Sequence, residues 1–216
     1  MKKRFQRILD QMTYLLNEVG ISYDLIKREP QVYRTQMKCY QQTIRSEKDG
    51  QSFEIIVQAT SLAKPKKHQG MPLPRFHHLS FDWSIGFSVP LSNNHSNLTL
   101  KLTKETTKNK LEKLFWQRDL EVFEELFDAN FWIESNTTYA YGMLLDGTLQ
   151  EQLLANLALF GTLEIQQNRI YYTGSLLEDE EKALEAGILK KHHKSMLAIC
   201  LNLAKKVEIW EPPLGS

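Results

Sequence analysis

The sequence predicts an α+β fold, in which an N-terminal helix and an antiparallel sheet precede a second β-α-α-β-β-α half. Two patterns support this prediction. Apolar residues recur every three or four positions over residues 5–19, which is the spacing of an amphipathic helix. From Val32 onward, apolar and polar residues alternate in several runs, with the period of half-buried strands. A sheet built from such runs has one apolar face against a core and one polar face.

The predicted first helix spans residues 5–19 and ends at Gly20, because glycine favours the left-handed conformation of a helix cap. Its apolar positions are Phe5, Ile8, Leu9, Met12, Leu15, Leu16 and Val19. We expect this helix to cover the apolar face of the sheet. A basic amphipathic helix can also lie on a membrane surface, but Asp10 and Glu18 on the polar face weigh against that alternative.

Four runs with the period of a strand follow the helix. The first begins at Val32 and the second covers residues 53–59, with Asp49-Gly50 between them as a hairpin signal. The third, residues 79–89, places six large apolar side chains on one face and small or polar ones on the other. The fourth contains Leu98, Leu100 and Leu102. Together they predict an antiparallel sheet.

The second half predicts alternating helices and strands. The expected elements are a helix over 110–127 with a break near Arg118-Asp119, a strand over 131–134, a helix over 138–145, a helix after a Thr148/Glu151 capping box, a hairpin and a final helix. We expect Gly161 to end the capped helix, and Gln167-Asn168 to form the hairpin turn. The final helix is predicted to begin in the acidic run 178–181 and to end near Lys206.

One sequence pattern in this half resembles a known bacterial domain. The residues that carry the resemblance are Phe127-Asp128-x-x-Phe131-x-Ile133-x-Ser135-Asn136, Leu144-Leu145 and Leu149-x-x-x-Leu153, followed by the hairpin and the long helix. The order resembles a bacterial domain of unknown function, in which a β-rich half precedes a Phe-Asp-x-x-Phe-x-Val strand, two helices, a hairpin and a long C-terminal helix. The resemblance covers roughly residues 32–207 and implies an architecture, but no catalytic residue.

The charge distribution predicts two subdomains. The net charge is only +1, but residues 1–108 hold 17 Lys and Arg against 9 Asp and Glu, whereas residues 109–216 hold 10 against 17. The change of sign coincides with a polar stretch at 103–109. We therefore expect a basic β-rich subdomain over 1–108 and an acidic α+β subdomain over 109–216. Such a charge asymmetry is typical of a protein that binds an anionic partner, of a protein whose halves contact each other, or simply of two solvated surfaces of different composition.

Composition excludes several classes of protein. The hydrophobic content of 42% and charged content of 25% are those of a globular domain rather than a disordered or collagen-like chain. Two cysteines are too few for a disulfide scaffold or a multi-cysteine zinc module. Polar residues interrupt the segment after Met1-Lys2-Lys3-Arg4, so no signal peptide is indicated and a cytoplasmic location is expected. We also expect no transmembrane segment, because no apolar run is long enough.

A basic connection over residues 60–78 is the candidate binding site. Lys64, Lys66, Lys67 and Arg75 lie in a long proline-containing stretch, and loops of this length are usually functional or disordered. They suggest an anion-binding or nucleic-acid-binding flap, with a mobile solvated loop as the alternative.

Catalytic and metal signals are weak. Neither His77-His78 nor His192-His193 has the i, i+4 spacing of a helical metal site, and we expect His192 to be a partly buried, hydrogen-bonded residue. Cys39 and Cys200 are expected to act as small buried hydrophobes. The acidic residues of 121–134 indicate a solvated face, with a cation or acid–base site as the alternative; on a helix, Glu121 and Glu125 would share that face.

These observations favour a bacterial, non-catalytic protein-interaction or structural module with an unknown protein partner or a second copy of the chain. No Gly-rich phosphate loop occurs, and no cofactor is expected. Binding of an anion or a nucleic acid through Lys64, Lys66, Lys67 and Arg75 is the first alternative. An unrecognised hydrolase is the second, so whether the chain is an enzyme stays open, with a preference against it.

Overall fold

The computed structural model describes residues 6, 8, 10, 12–14, 16–17, 21–27, 31–32, 38–63, 79–92, 97–106, 121–122, 124–137, 142, 145–176 and 187–209. Within this part of the chain, one antiparallel sheet contains β1 (Tyr23–Lys27), β2 (Gln31–Val32), β3 (Lys38–Lys48), β4 (Gln51–Ala63), β5 (Leu79–Pro90), β6 (Leu100–Lys104), β7 (Phe131–Ser135), β8 (Thr162–Gln166) and β9 (Arg169–Leu176). The order across the sheet is β1-β3-β4-β5-β9-β8-β6-β7, and β2 also pairs with β3. The predicted α+β class with an antiparallel sheet is confirmed.

The register divides the sheet into an apolar and a polar face, as the alternation predicts. One row of directly opposed residues crosses eight strands and is almost wholly apolar, namely Leu25, Ile44, Ile55, Phe87, Tyr172, Leu163, Leu102 and Ile133. All of these except Leu25 are buried. Neighbouring residues of a strand point to opposite sides of the sheet. In each strand, the residues directly before and after a member of this row therefore lie on the outer face.

Two tight hairpins are confirmed at the predicted turns. Asp49 and Gly50 both have positive φ, at 53° and 78°, and they join β3 to β4. Gln167 and Asn168 also have positive φ, at 49° and 60°, and they join β8 to β9. Positive φ at both central positions defines a type I′ turn, whose twist matches that of the flanking strands. β3 continues to Lys48, so the first turn is shorter than the polar run 46–50 suggests.

Helices accompany the sheet in the described part of the chain. They are α1 (the described residues from 6 to 17), α2 (Glu125–Asp128), α3 (Gly147–Ala155), a 3₁₀ turn (Leu157–Leu159) and α4 (Ile188–Glu208). The N–H of Ile21 donates to the carbonyl of Leu16 at 3.0 Å just after the described end of α1. The cap predicted at Gly20 itself lies outside the described residues.

The predicted start and end of α3 are wrong. The N-cap is Asp146, whose side chain accepts from the Leu149 N–H at 2.9 Å, so Thr148 lies inside the helix. An aspartate one position before a glycine competes well with a threonine for the cap, because its carboxylate is the stronger acceptor at the positive end of the helix. The helix then ends at Ala155 and gives way to the 3₁₀ turn before Gly161.

Several other predicted segments lie outside the described residues. They are residues 110–120 of one predicted helix, most of the helix over 138–145, and the acidic start of the final helix over 178–181. The prediction of a helix through 121–124 is wrong, because the described residues 121, 122 and 124 are not helical and the helix begins at Glu125. In the described part, α4 begins after Gly187, whose φ of 72° interrupts regular helical geometry, and it extends two residues beyond Lys206.

The core lies between the apolar face and the helices. Ile8, Met12 and Leu16 of α1 are fully buried in the same cluster as the sheet side chains, which confirms that this helix covers the apolar face. The long helix α4 packs on β5 and β9 and buries Met196 and Leu203 there. No helix in the described ranges is both long and apolar enough to span a bilayer.

Strands of both sequence halves are interleaved in the sheet. β5 pairs with β9, and β6 lies between β7 and β8 although it precedes them by many residues. The boundary between 1–108 and 109–216 stays a prediction.

Candidate functional site

His192 of α4 lies at the centre of a hydrogen-bonded polar cluster inside the apolar core. Only 6% of the residue is exposed. One ring nitrogen, Nε2, lies 2.9 Å from the Tyr172 hydroxyl, and the other, Nδ1, lies 2.9 Å from Oδ1 of Asn156. The amide oxygen can only accept, so Nδ1 carries the proton and Nε2 accepts from the tyrosine. The sequence prediction of a buried, hydrogen-bonded histidine is confirmed.

Tyr172 is held in place from the strand and the aromatic core. It is fully buried on β9, and its ring stacks on Phe87 with the centroids 5.8 Å apart. Its hydroxyl oxygen also accepts from the N–H of Gly161 at 3.3 Å. A Cβ at Gly161 would lie 1.9 Å from the Thr173 carbonyl oxygen, so only glycine permits this close approach to β9.

The electrostatics of the cluster keep the histidine neutral. Burial and, to a lesser extent, the positive charge of Lys104 together lower the pKa of His192 from 6.5 to about 4. Lys104 is fixed nearby, because its ammonium donates to the carbonyl of Ala158 at 2.7 Å. At neutral pH the imidazole is therefore an uncharged hydrogen-bonding group.

Asn156 connects the histidine to a serine. Its amide nitrogen donates to Oγ of Ser195 and to the carbonyl of Gln152, both at 2.8 Å. The amide thus lies between the serine and the imidazole, so in this arrangement the histidine is not the hydrogen-bond partner of the serine hydroxyl. A serine hydrolase needs the base in contact with the nucleophile, and this geometry does not provide that contact.

A cavity of about 480 Å³ opens beside this cluster. It lies between the 3₁₀ turn and the first two turns of α4. It is lined by Ala155, Asn156, Ala158, Leu159, Lys191, His192 and Ser195. Most of its wall is apolar, and of its polar lining residues His192 is buried whereas Lys191 is exposed.

The outer face of the sheet bears a second organised set of polar residues, which we call the charged row. It consists of directly opposed residues on eight neighbouring strands, namely Asp24, Arg45, Glu54, Ser88, Tyr171, Glu164, Lys101 and Glu134. Arg45 pairs with Glu54 at 2.8 Å, and Lys101 pairs with Glu164 at 3.5 Å.

Arg169 lies on β9, two residues before Tyr171 and on the same face, and it contacts the middle of the charged row. Its guanidinium donates to Glu54 at 3.3 Å and to Oγ of Ser88 at 2.9 Å, and it lies 6.0 Å from the centroid of the Tyr171 ring. Arginine and tyrosine are both enriched in protein interfaces.

A row of short side chains lies next to the charged row on the same face. It comprises Thr43, Ile56, Gly86, Thr173, Thr162, Thr103 and, at the far edge, Trp132. Trp132 is buried, so the outer face is not open at β7. Thr43 in this row and Ser88 in the charged row are also buried, whereas Arg45 and Lys101 are exposed.

The residues of the predicted anion site, Lys64, Lys66, Lys67 and Arg75, lie outside the described residues, as do His77 and His78. That site stays a prediction. Cys200 is completely buried, and burial raises the pKa of its thiol, which agrees with the expected role as a small hydrophobe.

The carboxylates of 121–134 are used within the chain rather than gathered into a site. Glu124 is the N-cap of α2 and accepts from the Phe127 N–H at 2.6 Å, and Asp128 accepts from the Val122 N–H at 3.0 Å. The proposed shared helix face of Glu121 and Glu125 is wrong, because α2 begins at Glu125. No metal-ligating group of three or more such residues occurs in the part of the chain that the structure describes.

Comparison with known proteins adds little to this geometry. No family model matches the chain. No curated protein matches it either. The fold is similar to the crystal structure of the mycobacterial trehalose monomycolate transport factor A, with a TM-score of 0.46 and 8% identity over 96% of this chain and 97% of that chain. At that TM-score the likeness supports no conclusion about this chain.

Proposed function

We propose that this chain is a non-catalytic protein-interaction module that binds through the outer face of its sheet, and that its partner is a second copy of itself. A bacterial, cytoplasmic setting is part of this proposal. The observation that supports it best is the charged row, in which an acidic, basic, acidic series lies on either side of the uncharged Ser88 and Tyr171. Arg45 and Lys101 remain well exposed, with 57% and 45% of their side chains accessible.

The order of charges makes the charged row complementary to itself. If a two-fold axis passes through β5, parallel to the strands, then β3 of one copy faces β8 of the other and β1 faces β6. Arg45 then meets Glu164, and Asp24 meets Lys101. Both pairs join opposite charges, because the uncharged Tyr171 on β9 places Glu164 and Lys101 one strand further from β5 than Glu54 and Arg45 lie on the other side.

The shape of the outer face suits such packing. Seven strands of each copy face each other across a span of about 30 Å, since strands lie about 4.8 Å apart. The row of threonines and Gly86 allows the two backbones to approach to the spacing of packed sheets. Sheets packed in this way remain within about 30° of alignment, which keeps the central pairs in register.

The buried polar cluster supports a non-catalytic role. Both ring nitrogens of His192 are hydrogen-bonded within the protein, and its lowered pKa keeps it uncharged. The polar groups there join α3, α4 and β9 to one another. Their arrangement is that of a structural network, which fixes the sheet against its helices.

Sedimentation equilibrium tests the proposal. We expect a concentration-dependent dimer at low ionic strength that weakens as salt is added, because the facing pairs are exposed. Arg45→Glu should weaken the dimer, whereas Lys194→Glu, an exposed change on α4 behind the sheet, should not. A chain that stays monomeric at all concentrations and salt levels would contradict the proposal, as would a dimer that responds equally to both variants.

A further inference from the structure

The cavity beside His192 has the features of a small-molecule site. Its volume of about 480 Å³ falls within the range of ligand pockets. Such pockets are mainly apolar, with a few polar groups that orient the ligand. Here Ala155, Ala158 and Leu159 form the apolar wall, and two alanines next to a leucine leave room that larger residues would fill.

The polar groups of the cavity lie at one side and favour an anion. Lys191 and Ser195 are four residues apart on α4, so their side chains project from the same face of the helix. In the described part of the chain, Lys191 has no carboxylate partner among the ion pairs. The Ser195 oxygen accepts from Asn156, and that bond does not use the hydroxyl hydrogen, which can be donated to a ligand.

The field around the cavity is also positive. Lys104 is held against the 3₁₀ turn by its bond to Ala158, and its charge is the second cause, after burial, of the lowered pKa of His192. A neutral imidazole adds no compensating negative charge. Among the described residues that line the cavity, Lys191 supplies the one ammonium group, and none is a carboxylate.

We propose that this cavity binds a small amphipathic carboxylate, with its carboxylate group between Lys191 and Ser195 and its apolar chain against Ala155, Ala158 and Leu159. A single ammonium and a single hydroxyl suit a singly charged head group rather than a phosphate, which usually takes several donors. The apolar wall favours an alkyl chain over a sugar. This site is independent of the proposed dimer, because it lies on the helical side of the sheet.

Titration with hexanoate, followed by isothermal calorimetry and by amide shifts of α4, tests this inference. We expect saturable binding that strengthens about 4-fold for each methylene between butyrate and hexanoate, since each buried methylene contributes a constant increment. Hexanol, which has the same chain without the charge, should bind at least 10-fold more weakly. Inorganic phosphate should bind more weakly than hexanoate.

Matched variants locate the site. Lys191→Gln should weaken hexanoate binding about 10-fold, as should Ala158→Trp, which fills the cavity at its exposed rim. Lys194→Gln, on the same helix but outside the cavity, should bind as the wild type does. Amide spectra of each variant establish that the fold is retained. No saturable binding of hexanoate would overturn the inference, and so would equal binding of hexanol or an unchanged affinity in both cavity variants.

Discussion

Acidification should destabilise this protein through one residue, His192. Its pKa is lowered from 6.5 to about 4 in the folded state, so the fold favours the neutral imidazole. The corresponding stability is fully present above pH 6.5, where the histidine is neutral in both states. It is lost as the pH falls from 6.5 towards 4, because the unfolded chain gains a proton that the folded chain does not bind.

The expected magnitude follows from that shift. A difference of about 2.5 pKa units corresponds to about 3 kcal/mol once the transition is complete. At pH 5, where the unfolded histidine is almost fully charged and the folded one is still neutral, the loss is about 2 kcal/mol. For a domain whose total stability is about 5–15 kcal/mol, this is a substantial share.

Urea unfolding of the wild type and of His192→Gln at pH 7.5 and pH 5 measures this loss. Glutamine keeps an acceptor for the Tyr172 hydroxyl and a donor for Asn156, but it does not titrate. Carboxylates contribute equally to both proteins, so their effect cancels in the difference. The wild type should lose about 2 kcal/mol more than the variant between the two pH values. Parallel losses in the two proteins would refute the reasoning.

Three further predictions concern single sites. Gly161→Ala should destabilise by about 3 kcal/mol or more in thermal unfolding, because its methyl group would overlap the Thr173 carbonyl, and a stability within error of wild type would contradict this. Asp146→Ala should lower the free energy of urea unfolding by about 1 kcal/mol, because the α3 N-cap is lost. Asp146→Asn keeps a capping oxygen and should retain most of that stability. If the basic connection binds nucleic acid, Lys66→Glu combined with Lys67→Glu should abolish oligonucleotide binding at low salt, and unchanged binding would reject that site.

Local signals in the sequence predicted much of the fold. The strand over 79–89 and the hairpin turns at Asp49-Gly50 and Gln167-Asn168 were predicted correctly, because alternation and turn chemistry depend on adjacent residues. The cap of α3 was assigned wrongly because two acceptors, Asp146 and Thr148, lie within one turn. Asp146 prevails because its carboxylate is the stronger acceptor at the positive end of the helix.

The sites depend on register between distant strands, which no local pattern contains. His192 was predicted to be buried from its place on the apolar stripe, but its partners Tyr172 and Asn156 lie on other elements. The charged row was not predicted, because its neighbours come from strands far apart in sequence. A signal existed in the charged or polar residue at the outward position of each strand. It becomes meaningful only once the strand order is known.

A charge swap between two strands tests the proposed self-association most directly. Within one copy, Arg45 on β3 and Glu164 on β8 are four strands apart, which is about 19 Å at the spacing of strands in a sheet, too far for a direct ion pair. In the proposed dimer they meet across the two-fold axis. Sedimentation equilibrium is measured for Arg45→Glu, Glu164→Arg and the double variant, with unfolding curves as the control for stability. It distinguishes an ion pair between two copies from effects of each residue within its own copy. We expect each single variant to weaken the dimer and the double variant to recover it. If the double variant loses as much dimer affinity as the two single losses added together, the proposed interface is contradicted.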